Sequence, residues 1–150
     1  MKTKINTSIC FDGNCEEALK FYERAFGVKA EIAGRYKDNP GENEEERGGM
    51  NEDPKFANYI MHAEIKLDEG QELYFCDYPG SPTFNGSMGI LLSFDTVEKA
   101  NDVFAILADG GKIVSPICKT FWSECYGNVI DKFGMDWQIT VLESMCKITK

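Results

Sequence analysis

The chain has 150 residues, 43% of them hydrophobic and 27% charged, and a formal net charge of −9. That length makes one domain, or two small modules sharing a core, and buries roughly 70% of the unfolded surface without staples. The acidic balance argues against nucleic acid, which needs a basic stripe to neutralise phosphates; no apolar run approaches the ~18 residues that span a bilayer. No signal-peptide pattern follows Met1, so a cytoplasmic protein without membrane attachment is expected.

Lys4 to Phe11 alternates, with Ile5, Thr7, Ile9 and Phe11 on a dry face and Asn6, Ser8 and Cys10 on the other, which predicts a strand. Asp12-Gly13 ends it. Asn14 is the expected N-cap of a helix with Glu16 and Glu17 in its first turn, where the helix dipole favours anions. Ala18, Leu19, Phe21, Tyr22, Ala25 and Phe26 recur at helical spacing, and Gly27 stops the run as a C′ residue. Val28 to Tyr36 reads as a second strand, interrupted by Gly34.

From Asp38 to Asp53 seven acidic residues stand against Arg47 alone, among three glycines and a proline. The segment has no apolar face to bury, and a mobile acidic loop is expected over about 37–55. Phe56 to Leu67 is the third strand, with Tyr59, Met61, Ala63 and Ile65 on one face and Ile60, His62, Glu64 and Lys66 on the other. Asp68-Glu69-Gly70 signals a hairpin turn, and Glu72 to Asp77 returns. A linker rich in proline and glycine follows, over about 79–85.

The pattern then restarts. Ser87 to Phe94 is a strand. Asp95 is the expected helix cap, with Glu98 in the reciprocal capping-box position, and Ala100, Val103, Phe104, Ile106 and Leu107 form the apolar stripe. Lys112 to Val114 is a short strand. Cys125 to Ile130, the turn Asp131-Lys132-Phe133-Gly134 and Met135 to Leu142 form a hairpin in which Trp137, Ile139 and Val141 face a core and Gln138 and Thr140 face away. Each half reads βαβββ. The expected class is α+β: a single domain of two such modules, about 1–78 and 86–146, whose curved mixed sheets enclose a cleft. The faces carrying Asn6, Ser8, Gln138 and Thr140 would meet across it.

The six cysteines, at 10, 15, 76, 118, 125 and 146, form no C-x-x-C pair and read as reduced thiols, with Cys10, Cys76 and Cys125 as small core residues. His62 and Glu64 share a strand face at i, i+2. That spacing suits a general base with its orienting carboxylate, and equally a polar pair at a sheet edge or dimer interface. Trp122 reads as a stacking wall for a planar or cationic ligand or as a plain hairpin residue. With one histidine in the chain, Ser8 and Cys10 find no partner base for a nucleophilic triad. No phosphate-binding loop is present; Gly48-Gly49 opens no helix.

The segments FDGNCEEALKFYERAFG, YIMHAEIKL and LADGGKIVSPICKTFWSECYGNVIDKFGMDW resemble the PhnB-like branch of the vicinal oxygen chelate superfamily, which includes glyoxalase I, extradiol dioxygenases and bleomycin-binding proteins. The resemblance covers the chain outside the acidic loop. It implies the glyoxalase fold of paired βαβββ modules and a homodimer. The superfamily's metal enzymes place four ligands on the first and last strands of each module, and these carry over near Asn6, near Phe75, near Gly89 and at Gln138. Phenylalanine and glycine side chains bind no metal, so no divalent metal site and no other cofactor are expected. Ser123 stands where the branch commonly has glycine after the tryptophan. The branch's description as ubiquinone-methyltransferase-like finds no nucleotide-type loop for a methyl donor in this sequence.

Three functions follow as expectations: a metal-free module binding a small organic molecule through Asn6, Ser8, His62, Phe75, Trp122 and Gln138; a superfamily enzyme, of lyase, isomerase or dioxygenase type, working through a non-standard metal or through His62 and Glu64; and an interaction protein whose cleft is closed by Phe75 and Leu91. The first accounts best for the acidic charge and the lost ligands.

Overall fold

The computed structural model describes residues 1, 3–38, 53–81 and 88–142. Most of the expected acidic loop, most of the linker, Cys146 and the end of the second module lie outside them. The chain divides into two compact units, Met1–Pro82 and Thr83–Lys150.

The first unit runs β1 (Thr7–Phe11), α1 (Cys15–Phe26), β2 (Ala30–Arg35), β3 (Ile60–Lys66) and β4 (Glu72–Asp77). Its sheet has the order β1-β4-β3-β2, with β1 parallel to β4 and the other pairs antiparallel. The parallel pair runs from Thr7 opposite Leu73 to Phe11 opposite Asp77. Alternation turns Ile9, Phe11, Leu73 and Phe75 to one face, where they are buried with Ala63 and Ile65 beneath Leu19, Tyr22 and Phe26 of α1. The Tyr22 and Phe75 rings meet at 5.6 Å. Among the described residues no helix of this unit covers the opposite face, which carries Ser8, His62, Glu64 and Tyr74.

The second unit runs β5 (Gly89–Phe94), α2 (Val97–Leu107), β6 (Lys112–Cys118), β7 (Tyr126–Ile130) and β8 (Asp136–Val141). Its sheet order is β5-β8-β7-β6, with β5 parallel to β8. Ala100, Val103, Phe104 and Leu107 of α2 are buried with Val129, Trp137 and Ile139. Gly134 takes a φ of 89° in the β7–β8 turn, and the Asp131 carboxylate organises that turn: Oδ1 accepts from Phe133 N and Met135 N, and Oδ2 from Trp137 Nε1 at 2.7 Å.

Both βαβββ modules are therefore present, and several local expectations need correction. Asn14 precedes α1 but its side chain makes no capping hydrogen bond; the Asp77 carboxylate serves the helix N-terminus instead. Thr96, not Asp95, caps α2, its Oγ1 accepting from Lys99 N at 3.1 Å. This moves Glu98 one residue out of capping-box register. Ile5 lies before β1 and is 93% exposed, so the dry face begins at Ile9. The β2–β3 pairing slips between Gly34 and Arg35, where Gly34 is opposite His62 and Arg35 opposite Ile60. This bulge at Met61 reverses the alternation: Ile60 is buried and Met61 exposed, the opposite of the sequence reading. β6 extends past Val114 to Cys118 through Pro116, which an edge strand tolerates.

Candidate functional site

Among the described residues each sheet has one face that its own helix does not cover, and the polar and aromatic side chains collect there. In the first unit, β4 places Tyr74 between Ser8 of β1 and Glu64 of β3, register partners on either side. Tyr74 Oη donates to Glu72 Oε2 at 2.7 Å, and the same oxygen accepts from Lys4 Nζ at 2.8 Å. The bond from Tyr74, together with that from Lys4, holds the Glu72 carboxyl below its ordinary range, Lys4 contributing most; the bond to Glu72 in turn pushes the Tyr74 phenol up. The His62 ring stands edge-on to Tyr74, with centroids 5.0 Å apart.

His62 and Glu64 share this face, as the sequence suggested. Among the described residues, however, the Glu64 carboxylate pairs with Lys66 at 2.7 Å, and Lys66 also holds Glu31 at 2.8 Å. The carboxylate expected to orient the histidine is bound to a lysine, and the aromatic neighbour Tyr74 is what contacts the imidazole. Asn6 immediately precedes β1 and is half-buried. Phe75 is a correction: its parity on β4 is that of Leu73, so it points into the α1 core, fully buried, away from Ser8 and His62.

In the second unit the uncovered face carries Trp122, Tyr126 and Gln138. The Trp122 and Tyr126 rings meet at 4.7 Å, and Tyr126 Oη donates to Gln138 Oε1 at 3.2 Å. A tight loop holds the tryptophan. Thr120 N donates to Ser123 O, and Thr120 Oγ1 accepts from Ser123 N at 2.9 Å. Ser123 is buried, and its Oγ meets Cys125 O at 2.7 Å and Thr140 Oγ1 at 3.0 Å. The serine found in place of the branch's glycine thus anchors the loop to β8. Thr140, expected on a wet face, is fully buried in that contact. Beside this cluster Leu91, opposite Gln138 on β5, is 41% exposed. Trp137 lies in the core, as its alternation required.

Of the positions implied for metal ligands, Phe75 and Gly89 supply no donor atom. Phe75 is turned into a core, Gly89 has no side chain, and Gln138 accepts from Tyr126. Among the described residues no group of three His, Cys, Asp or Glu side chains converges to hold an ion.

Sequence reasoning missed Tyr74 and Tyr126, which contact His62 and Trp122 respectively. Their strand parity, matching that of Ser8 and Gln138 through the sheet register, was the signal that would have found them.

The comparisons with known proteins agree with this architecture. Over 137 residues the chain is 27% identical to Protein YjdN of Escherichia coli (strain K12), covering 90% of this chain and 92% of that protein. The solved PhnB protein from Bacillus cereus is 30% identical, with a TM-score of 0.69 over 93% of this chain and all of that one. A glyoxylase/bleomycin resistance protein/dioxygenase domain from Frankia sp. EAN1pec, at 14% identity, shares the fold with a TM-score of 0.60 over 94% of this chain and 98% of that one. Two βαβββ units, each with a parallel outer pair, are the fold of the glyoxalase/bleomycin resistance/dioxygenase superfamily. Residues 3–140 match the model of the family described as 3-demethylubiquinone-9 3-methyltransferase, and the chain belongs to that family.

Proposed function

We propose that this chain binds a small organic molecule on the faces its helices leave open, without the superfamily's divalent metal. The Trp122–Tyr126–Gln138 cluster carries this reading. An indole in tilted contact with a phenol beside an amide, fixed by the Thr120–Ser123 loop, is a preorganised wall for a planar ligand, and a cation over the indole face adds attraction. The net charge of −9 favours a cationic ligand. Ser8, His62 and Tyr74 are the polar counterparts on the first sheet.

Turnover by His62 is the second reading. Its support is the Tyr74–Glu72–Lys4 chain beside the imidazole, which places a proton-carrying phenol in ring contact with it. In that reading Tyr74 replaces Glu64 as the group acting with the histidine. Methyl transfer, the activity in the family's description, requires a methyl donor, and this reading assigns no residue to one.

Thermal shift with a panel of planar cations tests the binding reading. A ligand at about 100 times its Kd adds about 2.7 kcal/mol to the folded state and raises Tm visibly. Zinc, nickel, manganese and iron(II) leave Tm unchanged. A rise with one of those ions and none with any organic cation would overturn the proposal.

A further inference from the structure

The parallel pairing of β1 with β4 brings two thiols together. Cys10 and Cys76 are register partners, and their sulfurs lie 3.1 Å apart in a thiol–thiol hydrogen bond. Neither is a core residue, contrary to the sequence reading: both are half-buried, on the face that carries Ser8 and Tyr74. Adjacent strands run ~4.8 Å apart. That spacing lies inside the range of about 4.4–6.8 Å between Cα atoms in which a disulfide closes without backbone movement. The other described cysteines lack this arrangement. Cys15 is buried in the first turn of α1, Cys125 is buried before β7, and Cys118 is exposed at the end of β6.

We propose that Cys10 and Cys76 form a redox-active dithiol that closes to a disulfide on meeting a hydroperoxide or a small-molecule disulfide. With a hydroperoxide, the Cys10 sulfur takes the distal oxygen, the O–O bond breaks, and an alcohol, or water from hydrogen peroxide, leaves with the Cys10 thiol proton. The Cys76 sulfur then attacks the resulting sulfenic acid; the S–S bond forms and water departs with the thiol proton. The two sulfurs together lose two electrons, and the peroxide gains them. With a small-molecule disulfide, two exchange steps release two small thiols. Burial first, then the hydrogen bond to Cys10, pushes the Cys76 thiol up to about 12. Cys76 therefore holds its proton at neutral pH. Closure ties the edge strand β1 covalently to β4 beside Ser8 and Tyr74.

The test treats the folded full-length protein with hydrogen peroxide or oxidised glutathione, then maps linkages by mass spectrometry of a non-reducing digest. The expected result is a Cys10–Cys76 linked peptide, a fall in titratable thiols by two of the six, and recovery with dithiothreitol. Cys118→Ser retains the linked peptide; Cys10→Ser and Cys76→Ser each lose it. Stable glutathione adducts on Cys10 without closure, or oxidation confined to Cys118 while Cys10 and Cys76 stay unlinked, would overturn the proposal. Because the decisive product is read in the unmodified chain, poor folding of a variant does not affect the outcome.

Discussion

Asp77, at the end of β4, caps a helix that starts 62 residues earlier at Cys15. Its Oδ1 accepts from Cys15 N at 3.0 Å and from Gly13 N at 2.8 Å, and its Oδ2 accepts from Ile60 N at 2.9 Å. The carboxylate is 2% exposed. It therefore satisfies two donors at the start of α1 and one at the start of β3, tying helix, sheet and β4 together. Asp77→Ala leaves three backbone N–H groups without this acceptor and is expected to cost about 3 kcal/mol, read as a lower urea midpoint. A loss below about 1 kcal/mol would mean that Asn14 takes over the cap.

Gly127 on β7 lets α2 approach the sheet. A Cβ there would stand 2.7 Å from Phe104 Cε2 and 2.9 Å from Ile117 Cα. One of these neighbours is backbone and cannot rotate aside. Gly127→Ala is expected to destabilise the fold by about 2 kcal/mol, the ordinary range for overpacking, although alanine suits a strand better than glycine does. Thermal unfolding decides it: an unchanged or raised Tm would contradict the close packing.

Glu23 joins the last turn of α1 to the start of β2. Its Oε1 accepts from Ala30 N at 2.9 Å and its Oε2 from Lys29 Nζ at 3.3 Å. The backbone bond from Ala30 is the larger cause holding its carboxyl below the ordinary 4.5. A depressed folded-state value stabilises the protein above the unfolded value, and this contribution is lost as pH falls through the folded value. The wild-type urea midpoint should thus drop between about pH 6 and about pH 3 by more than that of Glu23→Gln. Parallel curves for the two proteins would remove Glu23 from the acid response.

Trp122 is half-buried in its loop whereas Trp137 is fully buried with its indole bonded to Asp131. A ligand on the open face therefore changes the emission of Trp122 alone. Trp122→Phe is expected to abolish the emission change, and Trp122→Ala to weaken binding about tenfold, or about 1.4 kcal/mol, with little effect on Tm. Quenching that persists in Trp122→Phe would place the ligand elsewhere.

The elements were legible because period-2 and period-3.6 patterns are local. β4 matches its expected bounds from Glu72 to Asp77, and the alternation of Trp137, Ile139 and Val141 placed the core of the second unit correctly. What was not legible depends on partners distant in the chain. The Asp77 cap and the Cys10–Cys76 contact both follow from the parallel register of β1 on β4, which no local window contains. The faces of β3 were misread at Met61 because a bulge shifts parity without a marker of its own. Phe75 was assigned to a ligand face from a motif position, although its parity with Leu73 already directed it to the core.

The most direct test of the binding account is a fragment screen followed in the amide and side-chain spectra of isotopically labelled protein. The account predicts that planar cationic fragments shift the signals of Trp122, Tyr126 and Gln138. Binding confined to the exposed surfaces of α1 and α2, or no response at these three residues to any fragment in the panel, would contradict it.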